Sequence, residues 1–570
     1  MPEHASRDGF AFICCCGMLI LALLGVGQEW HQFWGGVEMS DLELNLIQRV
    51  NLGDSLTRTA WRYPDKLAIV DGERRFSYSQ MLANSIRLAN AMLGLGYQKG
   101  DAVALMSGNS AEFLFTYFAC AKVGLICVPI NLGWTAQEIA YVLGHSQARA
   151  IVVESQLVGL ASAAISDLPE VRSVIVAPGT GSEFSRNPSD RMWFDFAELL
   201  AGASDAEPEI EIEDRAPLSY LYTSGTTSAP KGVVSSHLGV YLESIGVALE
   251  DGFTHNDSIG AMMPLFHTAQ LNGQCTVAVI VGATMVLLRG FNSSGLLRAI
   301  DAQKLTIIFG LPFMFREILD DPLVNTVDLS SLRLAIYAMA PMPDALLRRS
   351  MEVLGCDFTL GFGQTEMNPV TTVFRPENQL SHSGAVGTPE VNVLVGIMDE
   401  AGKLLPWGES GEIVYRSPQT MNGYLKNPQA TAEAFRFGWF HSGDAGYFDK
   451  DGVLWFEDRF KDVIKSGGEN VSSIEVEKAI YAADDGVAEA IVVGLPHPRW
   501  GEAITAFVVP KDGVTLDTNA MVERVKERLG RFKTPKSVHI VSALPRTSTG
   551  KVQKNVVRAS HSDLYQEPTR

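Results

Sequence analysis

Leu218-Ser-Tyr-Leu-Tyr-Thr-Ser-Gly-Thr-Thr-Ser-Ala-Pro-Lys231-Gly232 is the stretch from which the rest of the chain is read. Leu218–Tyr222 reads as a strand. The loop that follows offers what a triphosphate needs: close backbone N–H groups, several hydroxyl donors and one lysine charge. It is not a Walker A loop, because Lys231 is followed by Gly232 rather than by Ser or Thr. A flexible Gly/Ser/Thr linker is the competing reading. A linker rarely follows a buried strand and then places Pro-Lys-Gly.

Outward from this loop, strands and helices alternate. Leu67–Val70 and Arg75–Tyr78 read as strands, and Gln80–Leu95 carries Met81, Leu82, Ile86, Ala89 and Leu93 at helical spacing. Ala102–Met106 reads as a buried strand, Ala111–Val123 as a helix and Leu125–Pro129 as a strand. Thr135 and Glu138 have capping-box spacing and open a helix to about Leu143, before a strand at Ala150–Val153. This rhythm implies a mainly parallel sheet covered by helices. Residues 178–208 are polar and Gly/Ser/Asp-rich, and read as a surface loop. Leu52-Gly-Asp-Ser-Leu56 superficially resembles a carrier attachment site but lies upstream of everything else, and reads as a first helix with Leu56 and Ala60 buried. After Asp458, short strands and charged helices suggest a smaller α+β unit.

At 570 residues the chain exceeds one hydrophobic core. With 46% hydrophobic and 19% charged residues it is an ordinary globular protein. A formal charge of −19 excludes a nucleic-acid binder. Between Arg524 and Arg558, however, ten Lys or Arg face a single acid, Glu527, so one end of the molecule is basic and suits a phosphate-rich ligand. Seven cysteines, none in a CxxC pair, indicate a reducing, cytoplasmic setting without disulfides or a zinc site. The uncharged run Phe10–Val26 leaves two readings open: a membrane anchor, or a leader upstream of a start at Met39. Cys14, Cys15 and Cys16 are candidates for lipidation in the first case.

Four further segments carry chemistry: Gly361-Phe-Gly-Gln-Thr-Glu366, Trp439-Phe-His-Ser-Gly-Asp444, the junction from Asp458 to Glu477, and Pro545-Arg-Thr-Ser-Thr-Gly-Lys551-Val-Gln-Lys554. Together with the phosphate loop, in this order and across Leu52–Val557, they resemble the adenylate-forming superfamily of acyl-CoA synthetases, luciferases and peptide-synthetase adenylation domains, closest to fatty-acid–CoA ligases. The resemblance implies an α/β fold: a large N-terminal domain of parallel-rich sheets covered by helices, a small barrel-like subdomain and a small mobile α+β C-terminal domain. The expected partition is a leader or anchor over 1–39, an adenylation domain over 40–458, a hinge at 459–461, a C-terminal domain over 462–560 and a tail over 561–570.

It also implies roles. Thr223, Ser224, Gly225, Thr226, Thr227 and Lys231 would cradle the ATP phosphates, and Ser228 stands where the family usually has glycine. Gly361, Phe362, Gly363, Gln364 and Thr365 would line the adenine and phosphate site, and Glu366 with Thr226 would hold Mg2+. Asp444 would accept the ribose hydroxyls, Arg459 would contact the nucleotide and Lys461 would be the hinge. Lys551 would bridge the acid's carboxylate and the α-phosphate. His267 would border the acid pocket and the CoA tunnel. Lys465, Gly467, Gly468, Trp500 and Phe532 would meet coenzyme A. Ser473 replaces a common proline, which is expected to loosen that turn.

The implied reaction joins ATP and a carboxylic acid into acyl-AMP and then passes the acyl group to coenzyme A. Loading of a carrier protein, a luciferase-type oxygenase and a catalytically silent binding protein are the alternatives. A serine hydrolase is set aside because no GxSxG occurs in the sequence. His267-Thr-Ala-Gln-Leu and Met367-Asn-Pro are expected to border the acid. Neither holds an acidic residue to greet an amino group. A medium or long fatty acid leads, with an aromatic or alicyclic acid close behind. The homodimer is the assembly considered.

Overall fold

The computed structural model describes residues 39–179, 191–223, 230–339, 342–547, 550 and 552–565. The apolar run 10–26 therefore lies outside the described residues, and among those described no helix is long and apolar enough to cross a membrane. Residues 39–49 belong to a separate unit, whose described part is a short helix, Asp41–Gln48, capped reciprocally by Ser40 and Glu43.

From Val50 onward the chain forms one compact unit. An eight-stranded sheet is built on the parallel strands Ala102–Met106, Ile126–Pro129, Ala148–Glu154 and Ser173–Ala177. These strands are almost wholly apolar because helices cover both faces. One of those helices, Ala111–Val123, buries every residue and ends on Gly124 in the left-handed conformation, φ 68°. Pro217–Thr223 joins the sheet parallel to Ile126–Pro129, then reverses into Lys231–Ser236. Thr223 is paired with Lys231 in that ladder, so the two ends of the phosphate loop are held opposite each other.

A second sheet of nine strands has six parallel members, Leu67–Asp71, Thr284–Leu287, Ser258–Ala261, Ile307–Gly310, Leu334–Tyr337 and Asp357–Gly363. Antiparallel strands extend it at each edge, among them Val370–Phe374. The small subdomain is an antiparallel ladder of Leu394–Met398, Gly411–Arg416, Phe440–Phe448 and Leu454–Arg459. Beyond it, Val487–His497 and Gly501–Pro510 form a long hairpin, flanked by Ile464–Ser466 and Ser537–Ile540. The helices Ser473–Ala483 and Thr518–Leu529 complete this unit, whose own core contains Val476, Ile480, Val492, Ile504 and Met521. The expected large sheet domain with a smaller α+β domain is what the chain forms.

Local expectations fare well, with two corrections. The helix Leu52–Arg62 buries Leu56 and Ala60, and Thr135 and Glu138 form their capping box ahead of Ala136–Ser146. Tyr78, expected to end a strand, instead opens the helix Tyr78–Gly94, because Ser77 and Gln80 cap that helix reciprocally. The polar stretch 178–208 is not loop throughout: Met192–Asp195 is a strand parallel to Ser173–Ala177, and Phe196–Ala201 a helix. Its composition is polar on average, yet Phe196 and Leu200 are buried and fasten it to the core.

Candidate functional site

The two strands of the phosphate-loop hairpin position Thr223 and Lys231. Ser224, Gly225, Thr226, Thr227 and Ser228 lie outside the described residues. The Lys231 ammonium sits 5.1 Å from the centre of the Tyr424 ring, a cation–π contact. Tyr424 pairs into the same sheet beside Val233, and its hydroxyl donates to Glu366 Oε1 at 2.8 Å. Burial, reinforced by Glu366, pushes the phenol far above its ordinary range, so it remains a donor at any physiological pH. Tyr424 thus couples the loop lysine to the carboxylate expected to meet a cation. Sequence reading missed it, and its motif context, Met421-Asn-Gly-Tyr424, gives no periodic signal.

The Gly361–Glu366 segment leaves the nine-stranded sheet through a tight turn. A β-carbon on Gly363, at φ 155°, would fall 2.0 Å from the Pro369 carbonyl oxygen, so only glycine fits. The Gln364 N–H donates to that same carbonyl at 2.9 Å. Buried Asn368 then ties the turn to the hairpin: Oδ1 accepts from Ser235 Oγ at 2.6 Å, and Nδ2 donates to the Gln419 carbonyl at 2.6 Å. Thr365 and Glu366 are therefore held against the second strand of the phosphate loop by bonds between buried polar groups, which are costly to break.

Phe362 packs on Phe456, ring centres 5.4 Å apart, bringing the end of the large sheet to the small antiparallel one. Asp444, only 4% exposed, lies opposite Arg459 in that ladder, with Arg459 Nε 3.1 Å from Oδ1. Ser442 shapes the turn before it: its hydroxyl donates to the Ile413 carbonyl at 2.6 Å and accepts from the Asp444 N–H at 3.0 Å. Phe362, three residues before Thr365, thereby meets the sheet that carries Asp444 and Arg459.

On the other side, His267 caps the short helix Thr268–Gln270, and the chain continues through the π-helical turn Leu271–Thr276. Gly273 of that turn faces Pro369, whose ring would lie 3.6 Å from a β-carbon placed there. The turn that follows the first segment expected to border the acid thus neighbours the second.

Past the junction, Lys551 lies outside the described residues, but its neighbours are seated on the large body. The Arg546 guanidinium lies 4.9 Å over Phe313, bonds Glu489 and donates to the Gly550 carbonyl at 2.7 Å. A β-carbon on Gly550 would meet the Phe313 ring at 3.3 Å. Lys461 is exposed beside Arg459. Ser473 corrects the expectation of a looser turn. Its N–H and its hydroxyl both donate to Asp458 Oδ2 at 2.6 Å, and Lys554 Nζ donates to that hydroxyl at 2.6 Å. Lys554 also pairs with Glu477 at 2.7 Å. Proline could make none of the three bonds to residue 473, so serine tightens the junction.

Of the residues expected to meet coenzyme A, Trp500 lies against Gly467, where a β-carbon would come within 3.2 Å of the indole. Arg499 and Lys536 stand 4.8 Å and 5.0 Å from the Trp500 ring. Gly467 and Gly468 both adopt positive φ, 63° and 91°. The Lys465 N–H donates to Glu502 at 2.7 Å and leaves its side chain exposed. Phe532 is 48% exposed beneath Lys533, 5.7 Å away.

The hairpin strands that flank the expected phosphate loop, a carboxylate oriented by Tyr424 and an acid–arginine pair on an adjoining sheet are the described parts of the expected nucleotide site. Residues 56–425 match the family model of the AMP-binding enzyme, and residues 475–551 that of the AMP-binding enzyme C-terminal domain. The chain is 33% identical over 512 residues to feruloyl-CoA synthase of Amycolatopsis sp, covering 90% of this chain and 99% of that one. It is 33% identical over 518 residues to the long-chain-fatty-acid–CoA ligase FadD13 of Mycobacterium tuberculosis, covering 90% and 99%. The crystal structure of the anthranilate CoA ligase AuaEII in complex with anthranoyl-AMP superposes with TM-score 0.84 at 27% identity, covering 91% and 99%. The chain belongs to the AMP-binding enzyme family, and so to the adenylate-forming superfamily that its motifs resemble. By class it is an acid–thiol ligase of the AMP-forming kind, working with ATP, Mg2+ and coenzyme A.

Proposed function

We propose that this chain joins a fatty or aromatic carboxylic acid to AMP and then transfers the acyl group to coenzyme A. In the first step a carboxylate oxygen bonds to the α-phosphorus of ATP as the bond to pyrophosphate breaks. In the second, the CoA thiolate attacks the acyl carbonyl and AMP leaves; the thiol proton goes to solvent. Adenylation needs no acid–base dyad, because alignment and charge neutralisation carry it.

Lys231 supplies a fixed positive charge at the end of the phosphate loop, and the backbone of 224–227 the N–H groups. Phe362 offers a flat apolar face to the purine. Asp444, restrained by Arg459, accepts the ribose hydroxyls. Glu366, with one oxygen held by Tyr424 and a hard-oxygen character suited to the ion, would hold Mg2+ together with Thr226. When bound, that ion neutralises phosphate charge as a Lewis acid. Lys551 bridges carboxylate and α-phosphate, and His267 borders the acid. Residues 40–458 form the adenylation domain and 462–560 the C-terminal domain, which turns about 459–461 between the half-reactions. Trp500, Gly467, Gly468, Lys465 and Phe532 receive coenzyme A. The acid is a fatty acid or an aromatic one, as the names of the relatives illustrate.

The observation that carries this reading is the Lys231–Tyr424–Glu366 chain, which joins the proposed phosphate loop and the proposed cation ligand through one half-buried phenol. The test is release of AMP and pyrophosphate from ATP-Mg2+ with a panel of acids, with and without coenzyme A. AMP that accumulates with turnover only when both acid and coenzyme A are present is the expected result. Acid-dependent pyrophosphate that stops at one equivalent either way would transfer the assignment to carrier loading. Silence with every acid would sink the enzyme.

A further inference from the structure

The helix His237–Glu250 carries a carboxyl group on its inward face. Glu243 is fully buried, on the same stripe as Val240 and Val247. Neither of its oxygens has a hydrogen-bond partner among the described residues. The Val370 amide and the Ser244 hydroxyl lie near enough to pull its pKa down somewhat, yet neither closes a hydrogen bond of normal geometry. The Ser244 hydroxyl donates to the Val240 carbonyl at 2.8 Å and lies 2.7 Å from Thr276 Oγ1. Burial, followed by the charge of nearby Glu390, drives the Glu243 pKa well above the carboxylate range. Burial thus favours its neutral form, which can both donate and accept.

Such a group is out of keeping with its surroundings. The polar side chains around it answer one another: Tyr117 donates to Asn272 Oδ1 at 3.1 Å, and Asn272 Nδ2 to Thr268 Oγ1 at 3.0 Å. Glu390, also buried, has the Asn392 N–H at 3.2 Å. A buried carboxyl left without a partner destabilises the fold, and leucine in its place would not. A ligand that bonds to it when bound explains why it can remain.

Its position names the ligand. A β-carbon on Gly273 would lie 3.7 Å from Glu243 Oε1 and 3.6 Å from the Pro369 ring. Pro369 belongs to one of the two segments taken to border the acid and Gly273 lies two residues past the other, His267–Leu271, with no side chain to interpose. We propose that Glu243 reads a hydroxyl group that the acid carries away from its carboxylate, making the substrate a hydroxylated acid rather than a plain hydrocarbon one. This inference rests on the acid-activating reading above.

The test compares matched acids on the full chain: 3-(4-hydroxyphenyl)propanoate against 3-phenylpropanoate, 8-hydroxyoctanoate against octanoate, and the amine 3-(4-aminophenyl)propanoate. The wild-type chain should favour one hydroxylated acid over its parent by roughly tenfold or more in kcat/KM, the value of one buried hydrogen bond. Glu243→Leu should bring that ratio near one, and Glu243→Gln, which keeps shape and hydrogen bonding, should retain a preference. Without substrate, Glu243→Leu should melt higher than wild type, the reverse of what a purely structural carboxyl would give. A wild-type ratio at or below one in both pairs, an unchanged ratio in Glu243→Leu, or a preference for the amine overturns the hydroxyl assignment and leaves the ligase standing. AMP release with no acid at all overturns both.

Discussion

Replacing Ser473 by alanine isolates the bond that ties the C-terminal domain to the strand before the hinge. Alanine keeps the N–H that donates to Asp458 but removes the hydroxyl, and with it one bond to Asp458 and one from Lys554, each 2.6 Å. Lys554 retains Glu477 at 2.7 Å, and Asp458 retains the Arg459 N–H at 2.8 Å, so neither charge is left alone. Hydrogen bonds to charged groups contribute about 1.5–3 kcal/mol, and the remaining partners offset part of the loss, so a net cost of about 2 kcal/mol is expected. That is roughly a thirtyfold rise in the population of locally opened domain. Amide hydrogen exchange over Ser473–Ala483 and Val487–His497 reads it directly, as an approximately thirtyfold loss of protection confined to this domain. Ser473→Pro, which suits the first turn of a helix but removes the N–H as well, should lose more. Protection unchanged in Ser473→Ala, or proline outperforming alanine, would refute the argument that serine tightens this junction.

Lys551→Ala should cost roughly 10²–10³ in adenylation rate, measured by pyrophosphate release, while thioester formation from supplied acyl-AMP survives better; equal losses would remove the lysine from its step-specific role. Lys461→Pro should spare adenylation and impair thioester formation in the same two assays, because a fixed φ stiffens the proposed hinge. Asp251, half-buried with its acid pushed up to about 7 by burial of the carboxyl, should weaken the fold as pH rises. The native state binds the proton more tightly than the unfolded chain, so that stability is complete below about pH 4, falls between roughly pH 4 and 7 and is flat above. The stability gained by Asp251→Asn, from denaturant melts, should therefore grow across that window and then level off.

Much of this was legible in the residues themselves. The phosphate-loop segment gave a strand, a turn and a lysine, and the structure pairs Thr223 with Lys231 across them. The parallel strands were readable because continuous apolar runs such as Ala102–Met106 are what a doubly covered sheet requires. What escaped notice depends on contacts distant in sequence. Tyr424 matters because it lies beneath Lys231 and beside Glu366, and no local spacing announces that. Ser473 stands where the motif it resembles commonly has proline, yet the deciding partner is Asp458, fifteen residues earlier. Glu243 did leave a trace: with Val240 and Val247 it occupies one helical stripe, and an acid on an apolar stripe marks a buried polar group. Met192–Asp195 was hidden by averaging, since a four-residue strand inside a polar stretch barely alters composition.

The bonds from Asp458 to Ser473 have a mechanical consequence. A domain joined to another by chain alone is a ball joint, free to tilt and twist. Here the backbone through 459–461 is one attachment and the Asp458–Ser473 clasp a second, and two attachments define an axle. Under the proposed hinge at 459–461, movement would be confined to a swing about the line between them, as a door moves on its pins. Arg546 and Gly550, both resting on Phe313, would then be the latch on such a swing.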